Sequence, residues 1–174
     1  LFLDTIKEAY SGNRELFKGL YLYDNWDWDK RYPVIKISFG AGTHRTSNKL
    51  IQKIFFQLKL NQRSLGLECE EKEDYSNCLY ELIIKASEKY NERVVVLVDE
   101  YDKPILDAIE NEEVARENRE ILKDFYSVLK EADPYIKLAF LTGVSRFSKV
   151  SIFSGLNQLN DITIDANFAT VCGY

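Results

Sequence analysis

The most constraining feature of the sequence is an uninterrupted apolar run at Val94–Val98, followed directly by two acidic residues. A strand with one face in water alternates apolar and polar residues, whereas a strand covered on both faces stays apolar throughout. We predict strands over Tyr32–Phe39, Arg93–Asp99 and Ile136–Leu141. The central run indicates that their sheet is buried between two layers.

Helical periodicity separates these strands. Apolar residues recur at intervals of three and four in segments predicted as helices, namely Leu1–Tyr10, Ser47–Leu60, Ser76–Tyr90 and Glu112–Ala132. The polar stretch Asn61–Asp74 is predicted as a loop. Strands that alternate with helices are joined by right-handed crossovers, so the pattern predicts a three-layer α/β/α sandwich with a mainly parallel sheet. Ligands of such sheets bind beyond the carboxyl ends of the strands.

Composition narrows the class of protein. Of the 174 residues, 45% are hydrophobic and 29% are charged, which is ordinary for a globular domain and excludes a disordered chain. No apolar run approaches the ~20 residues that a membrane-spanning helix needs, so no membrane partner is expected. The net charge of −5 argues against a chain whose main task is gripping nucleic acid.

Cysteine and histidine are scarce, with Cys69, Cys78, Cys172 and the single His44. Three cysteines without a Cys-x-x-Cys pair predict neither a disulfide framework nor a zinc site. Reduced thiols in a cytoplasmic protein are the favoured interpretation. His44 could contact a ligand near a strand end, although a surface residue is the favoured interpretation.

Asp99 and Glu100 end the buried run and are the leading candidates for chemistry. An apolar strand that ends in Asp-Glu is the Walker B arrangement. In it, Asp99 would bind Mg²⁺ and Glu100 would polarise the water that attacks a γ-phosphate. A metal also offsets the repulsion between adjacent carboxylates at a buried strand end. The alternative is a buried strand that happens to end in two solvated acids.

The next predicted strand ends at Thr142, with Ser145 and Arg146 shortly after it. In P-loop ATPases of the additional-strand class, this strand places a polar sensor residue beside the γ-phosphate. Thr142 is therefore a candidate nucleotide-binding residue, and Arg146 is a candidate catalytic cation. The alternatives are a polar residue that opens a loop and a surface cation. Asp102 is a candidate support for the acidic site, although a turn residue is the favoured interpretation.

Two longer motifs carry a family resemblance. VLVDEYDKPI at Val96–Ile105 and LTGVSRFSKVSIFSGLN at Leu141–Asn157 resemble the AAA-ATPase-like domain that often precedes a PD-(D/E)xK nuclease-like domain in bacterial proteins. The resemblance covers essentially the whole chain. It implies a P-loop ATPase fold with ATP and Mg²⁺ as ligands. It also implies that residues 1–174 are part of an ATPase domain, with the fused nuclease-like domain outside this chain.

The chain departs from that family in one respect. The sequence contains no G-x-x-x-x-G-K-[ST] loop, whose N–H groups and lysine cradle phosphates. The chain starts at Leu1 within a helical pattern and contains no Met, so we interpret it as a piece of a longer protein. We expect this piece alone to lack the first strand and to bind ATP poorly. The family's sheet order then leaves Ile136–Leu141 as an exposed apolar edge, prone to pair with another chain.

Two other functions stay open. A non-catalytic interaction scaffold descended from such an ATPase could bind through Trp26 and Trp28 or through the exposed strand edge. Packing beneath the loop before the first strand is the favoured interpretation of the two tryptophans. An accessory module of a nucleic-acid-processing protein could use the basic stretch Ser145–Lys149, although the acidic net charge weighs against it.

Overall fold

The fold is organised around three parallel strands. A computed structural model describes residues 1–144, 152, 153, 156, 159–168 and 170. Strands β1 (Val34–Ser38), β2 (Val94–Asp99) and β3 (Ile136–Leu141) form a sheet in the order β1-β2-β3, and β2 pairs in parallel with both neighbours. Each strand lies within its predicted segment, so the parallel α/β prediction is confirmed.

Helices cover both faces of this sheet. They are α1 (Phe2–Tyr10), α2 (Leu22–Asn25), α3 (Ser47–Leu65), α4 (Tyr75–Tyr90), α5 (Lys103–Leu106) and α6 (Glu112–Glu131), with 3₁₀ turns at Arg14–Phe17, Asp133–Tyr135 and Ala166–Phe168. Leu3 of α1 packs on one face against Val95 and Leu97. Helices α3, α4 and α6 supply the core on the opposite face. In the part of the chain that the structure describes, no helix combines the length and apolarity needed to cross a membrane.

Side-chain caps fix where the three long helices begin. Thr46, Asp74 and Asn111 immediately precede α3, α4 and α6, and a side-chain oxygen of each accepts a hydrogen bond from a nearby backbone N–H. The first N–H groups of a helix have no partner within it, and such a cap stabilises the helix by about 1 kcal/mol. The caps therefore define the lengths of the loops that precede these helices.

Helix α3 is longer than predicted, because the polar Asn61 faces the interior. The helix runs to Leu65 and ends at Gly66, whose φ of 61° is left-handed. The Asn61 side-chain oxygen accepts a hydrogen bond from the N–H of Lys36 at 2.9 Å, and its amide donates to the Lys36 carbonyl at 2.8 Å. The prediction of a loop from Asn61 was wrong for this reason, and the loop starts at Gly66.

The two edges of the sheet differ. Asn61 and Gln57 of α3 bond the outer backbone groups of β1, Gln57 by accepting from the N–H of Ser38 at 3.2 Å. Within the described residues, β3 pairs with β2 alone, and its apolar side chains are only half-buried. An unpaired apolar edge is a template for a further strand. Among the described residues, Ile136–Leu141 thus lies at the predicted edge, which is the side at which the sheet can extend.

The N-terminal segment packs through aromatic rings. Trp26 lies edge-on to Tyr10 with ring centroids 5.0 Å apart, and Trp28 lies 5.2 Å from Phe17. The indole N–H of Trp28 donates to the Tyr23 carbonyl at 2.9 Å. Both tryptophans are half-buried. These contacts agree with the interpretation that the two rings pack beneath the chain before β1.

A disulfide joins Cys69 and Cys78, contrary to the prediction of reduced thiols. Their Cα atoms are 5.4 Å apart, a normal separation for a bridged pair. Cys69 lies in the loop after α3, Cys78 lies in the first turns of α4, and both are buried. Both also line a pocket of about 980 Å³ beside α3. The bridge ties the Gly66–Asp74 loop to the start of α4.

We expect reduction of this disulfide to lower the free energy of unfolding by about 2–3 kcal/mol, because a closed loop of nine residues restricts the unfolded chain. The measurement is urea unfolding with and without a thiol reductant. A free-thiol assay of the denatured protein should find one thiol. Cys78→Ser should remove the effect of reductant, whereas Cys172→Ser should leave it intact. Three free thiols and coincident unfolding curves would contradict the pairing.

Candidate functional site

The carboxyl edge of the sheet brings Asp99 and Thr142 into contact. Strand β2 ends at Asp99, and β3 is followed directly by Thr142. The Thr142 hydroxyl donates to Asp99 Oδ1 at 2.8 Å. The backbone N–H of Thr142 donates to the Val98 carbonyl, and the N–H of Phe39 donates to the Asp99 carbonyl. Asp99 is therefore held between both neighbouring strands, with its carboxylate oriented by a hydroxyl.

Glu100 adopts a left-handed backbone conformation with a φ of 54°. This conformation is unfavourable by about 1–2 kcal/mol for a residue other than glycine. The side chain is exposed, and its carboxylate lies against the backbone of Gly40, where an added Cβ would be 3.0 Å from Glu100 Oε1. A strained, exposed carboxylate beside a buried strand end is a feature that clusters at functional sites.

Asp102 lies in the turn after Glu100, as predicted, but its side chain is fully buried. Both carboxylate oxygens accept from the N–H of Val144, at 3.3 and 3.0 Å. The Tyr101 N–H donates to the Thr142 carbonyl at 2.9 Å. The turn after β2 is therefore joined to the loop after β3 by backbone and side-chain bonds.

Two tyrosines, whose hydroxyl groups are neutral, pack against this turn. Burial, with a smaller contribution from the charges of Asp102 and Asp161, raises the pKa of Tyr101 to about 12. Burial likewise raises the pKa of Tyr126 well above its usual value. The Tyr126 hydroxyl donates to the Tyr101 carbonyl at 3.3 Å. Both rings thus support the turn and do not ionise near neutral pH.

His44 is buried, which corrects the prediction of a surface residue. It lies in the loop after β1, and its Nδ1 is 2.9 Å from Asp107 Oδ2. The His44 backbone N–H donates to the same oxygen, and Lys103 pairs with the other oxygen at 2.7 Å. The buried Asn118 amide donates to the carbonyls of His44 and Pro104. This cluster anchors the loop after β1 to α5 and α6.

We expect the cluster to make stability depend on pH. Burial lowers the pKa of His44 below 6.5, and the contact with Asp107 opposes only part of that shift, with Lys103 and Lys53 adding to the lowering. His44 therefore binds a proton more readily in the unfolded chain than in the folded chain. As a result, the free energy of unfolding falls as the pH drops below about 6.5. The slope is limited to about 1.4 kcal/mol per pH unit.

His44→Asn is the matched variant, because the asparagine amide replaces the Nδ1 donor without titrating near neutral pH. Urea unfolding at intervals from pH 7.5 to 5 should show the slope in the wild type and a smaller slope in His44→Asn. The chain contains one histidine, so no other imidazole contributes. Equal slopes in the two proteins would exclude His44 as the titrating group.

Three of the four predicted site residues lie at the carboxyl edge of the sheet, namely Asp99, Glu100 and Thr142. Arg146, like the basic stretch Ser145–Lys149, lies outside the described residues. Sequence reasoning missed the close approach at Gly143, where an added Cβ would lie 2.4 Å from a Tyr101 ring carbon. The glycine directly after Thr142 was the only local signal. Among the described residues, no group of three or more His, Cys, Asp or Glu side chains could hold a metal by itself.

Comparisons with known proteins identify the family. A family model described as "Predicted AAA-ATPase" matches residues 1–153. "Uncharacterized protein in vnfD 5'region" from Azotobacter chroococcum mcd 1 is 50% identical over 174 residues, covering 100% of this chain and 34% of that protein. The chain thus spans about a third of that relative's length. No solved structure matches the chain. With the family model covering most of its length, the chain belongs to the predicted AAA-ATPase family.

Proposed function

We propose that this chain is part of a P-loop domain that binds and hydrolyses ATP with Mg²⁺. The observation that carries the proposal is the Thr142–Asp99 hydrogen bond of 2.8 Å at the carboxyl edge, with Glu100 beside it. In open parallel sheets this edge is where ligands bind. A metal-organising carboxylate on the central strand and a polar residue on its neighbour are the parts that hydrolysis of a γ-phosphate uses.

The residues present fit the metal side of such a site. Mg²⁺ prefers oxygen ligands, keeps several waters, and is usually held by one or two carboxylates together with substrate phosphates. Asp99, the proposed metal residue, supplies a carboxylate, and the side chains of its neighbours Glu100 and Thr142 also carry oxygen atoms. The metal would neutralise the charge that develops on the phosphates. The phosphate-cradling loop would come from chain outside these residues, since the sequence lacks that motif.

Each residue then has a separate task. Asp99 would hold the hydrated metal through the carboxylate oxygen that Thr142 does not bond. Glu100 would accept a hydrogen bond from the attacking water and orient it. Thr142 carries one hydroxyl proton, which goes to Asp99 in this structure, and it would donate that proton to a γ-phosphate oxygen when ATP is bound. Arg146 is proposed as a cation that stabilises the transition state.

Nucleotide binding by the full-length protein tests the proposal. We expect ATP to bind in a Mg²⁺-dependent manner, and Asp99→Ala to weaken that binding about tenfold or more by removing the metal-organising carboxylate. Titration calorimetry with and without Mg²⁺ is the measurement. Asp161→Ala is the control, since it removes a carboxylate outside the proposed set. Mg²⁺-independent binding, or no binding by the wild-type protein, would contradict the proposal and favour the scaffold hypothesis.

A further inference from the structure

Asp102 is a buried carboxylate that does not cap its own helix. It precedes α5, a position where short polar side chains usually accept a hydrogen bond from the helix that follows. Its side chain makes no such bond. It is fully buried and reaches across to the loop after β3, where both oxygens bond the N–H of Val144. Burial of a carboxylate is costly unless it is hydrogen-bonded, so its position calls for a specific reason.

Hydrophobic packing does not hold the end of the Thr142–Val144 segment, which is the part of this loop that the structure describes. Val144 is 84% exposed, so hydrophobic packing does not fix it. The loop is attached through backbone groups: the Thr142 carbonyl accepts from the N–H of Tyr101, and the Val144 N–H donates to Asp102. Gly143 lies between them against the Tyr101 ring. The Asp102 carboxylate is therefore the side chain that fastens the loop directly after Thr142.

This attachment bears on the Thr142 hydroxyl. Thr142 is fixed on its N-terminal side by the bond from its N–H to the Val98 carbonyl. Its C-terminal side is fixed by Tyr101 and Asp102. Together these bonds set the rotation of the residue and the 2.8 Å contact of its hydroxyl with Asp99. Loss of the Asp102 carboxylate would leave the C-terminal side of Thr142 held by the backbone bond from Tyr101 alone, while the side chains of Asp99 and Glu100 remain unchanged.

We propose that Asp102 is a positioning residue, which holds the Thr142–Val144 loop in place so that the Thr142 hydroxyl keeps its position beside Asp99 and Glu100. The proposal rests on the proposed ATP hydrolysis at these residues. The proposed role gives Asp102 no direct contact with nucleotide or metal. It acts through Thr142, and the expected consequence is a loss of turnover with little change in ATP affinity.

The test uses the full-length protein with Asp102→Ala and Asp102→Asn. In Asp102→Ala, kcat for ATP hydrolysis should fall about tenfold to a hundredfold, because small misplacements of reacting groups cost this much. KM for ATP should stay within about threefold. Asp102→Asn keeps an oxygen that can accept from Val144, so its loss of kcat should be smaller. Tyr126→Phe is the stability control, because it removes another buried bond to the same turn and leaves the Asp102–Val144 bond in place.

Hydrogen exchange of the same proteins gives a readout independent of activity. In Asp102→Ala, the amides of Thr142–Val144 should exchange about tenfold faster, while those of β2 keep their wild-type rates. Unchanged exchange in that loop would overturn the proposal whether or not ATP is hydrolysed. Wild-type kcat in Asp102→Ala, or an equal loss in Tyr126→Phe, would also overturn it. A wild-type protein without ATPase activity would sink the proposed function and, with it, the positioning role, even if exchange showed that Asp102 holds the loop.

Discussion

Glu100→Gln in the full-length protein is expected to lower kcat for ATP hydrolysis by about 10²–10⁴-fold, the usual contribution of a positioned general base. Glutamine keeps the length and shape of the side chain but loses the carboxylate that accepts the water's proton. ATP affinity should remain close to wild type, because Asp99 and Thr142 keep their contact. Steady-state hydrolysis and nucleotide titration on the same preparation are the measurements.

A second substitution at this position separates chemistry from folding. Glu100→Gly removes the carboxylate and also relieves the left-handed backbone at φ 54°. It should lower turnover at least as far as Glu100→Gln does, yet gain up to about 1 kcal/mol of stability in urea unfolding. An inactive but more stable protein cannot owe its inactivity to unfolding. Turnover near wild type in both variants would remove Glu100 from the proposed mechanism.

Among the glycines in the described part of the site, Gly143 is the one where an added methyl group, as in Gly143→Ala, should lower stability most. The new Cβ would lie 2.4 Å from Tyr101 Cε1 and 2.7 Å from Asp102 Oδ1. Tyr101 has little room to yield, because it is buried and its ring centroid lies 5.0 Å from that of Phe153. Its backbone carbonyl also accepts a hydrogen bond from the Tyr126 hydroxyl. We expect a loss of about 1–3 kcal/mol of stability from overpacking.

The same methyl should lower ATP turnover, because it displaces the residue that follows Thr142. A misplacement of this kind reduces kcat about tenfold to a hundredfold. Gly19→Ala is the matched control. Gly19 has a φ of 82°, and no atom of the described residues lies within 4 Å of the place a Cβ would take, so the methyl adds backbone strain without a clash. That control should lose about 1 kcal/mol of stability and keep full turnover. Equal turnover in the two variants would show that the contact at Gly143 does not position the site.

Sequence patterns were sufficient for the three strands and for the edge of the sheet at which Asp99 and Thr142 lie. The apolar run ending at Asp99 and the strand ending at Thr142 each follow from local composition. Because parallel strands end at the same edge of a sheet, both residues could be placed at the carboxyl edge without coordinates. The order of the three strands required the family resemblance. What the contact does chemically is a proposal that geometry supports.

The parts that could not be predicted depend on partners far along the chain. His44 is buried because Asp107 and Asn118 meet it from positions 63 and 74 residues later. From the sequence, Asp102 resembles an ordinary turn residue. Its hydrogen-bond partner, the N–H of Val144, lies 42 residues later in the chain. Asn61 resembles a loop residue because its partner is the backbone of β1. A local sequence pattern cannot predict contacts between residues that are so far apart in the chain.

The left-handed backbone at Glu100 also has an evolutionary consequence. Selection for stability alone would replace this residue with glycine or asparagine, which tolerate a positive φ, and selection for catalysis alone would oppose that change. Under the proposed function, relatives that do not hydrolyse ATP would be under no selection to keep an acid at the position equivalent to Glu100. The proposal therefore predicts that an acid at this position accompanies ATP hydrolysis among relatives, and that glycine or asparagine accompanies its absence.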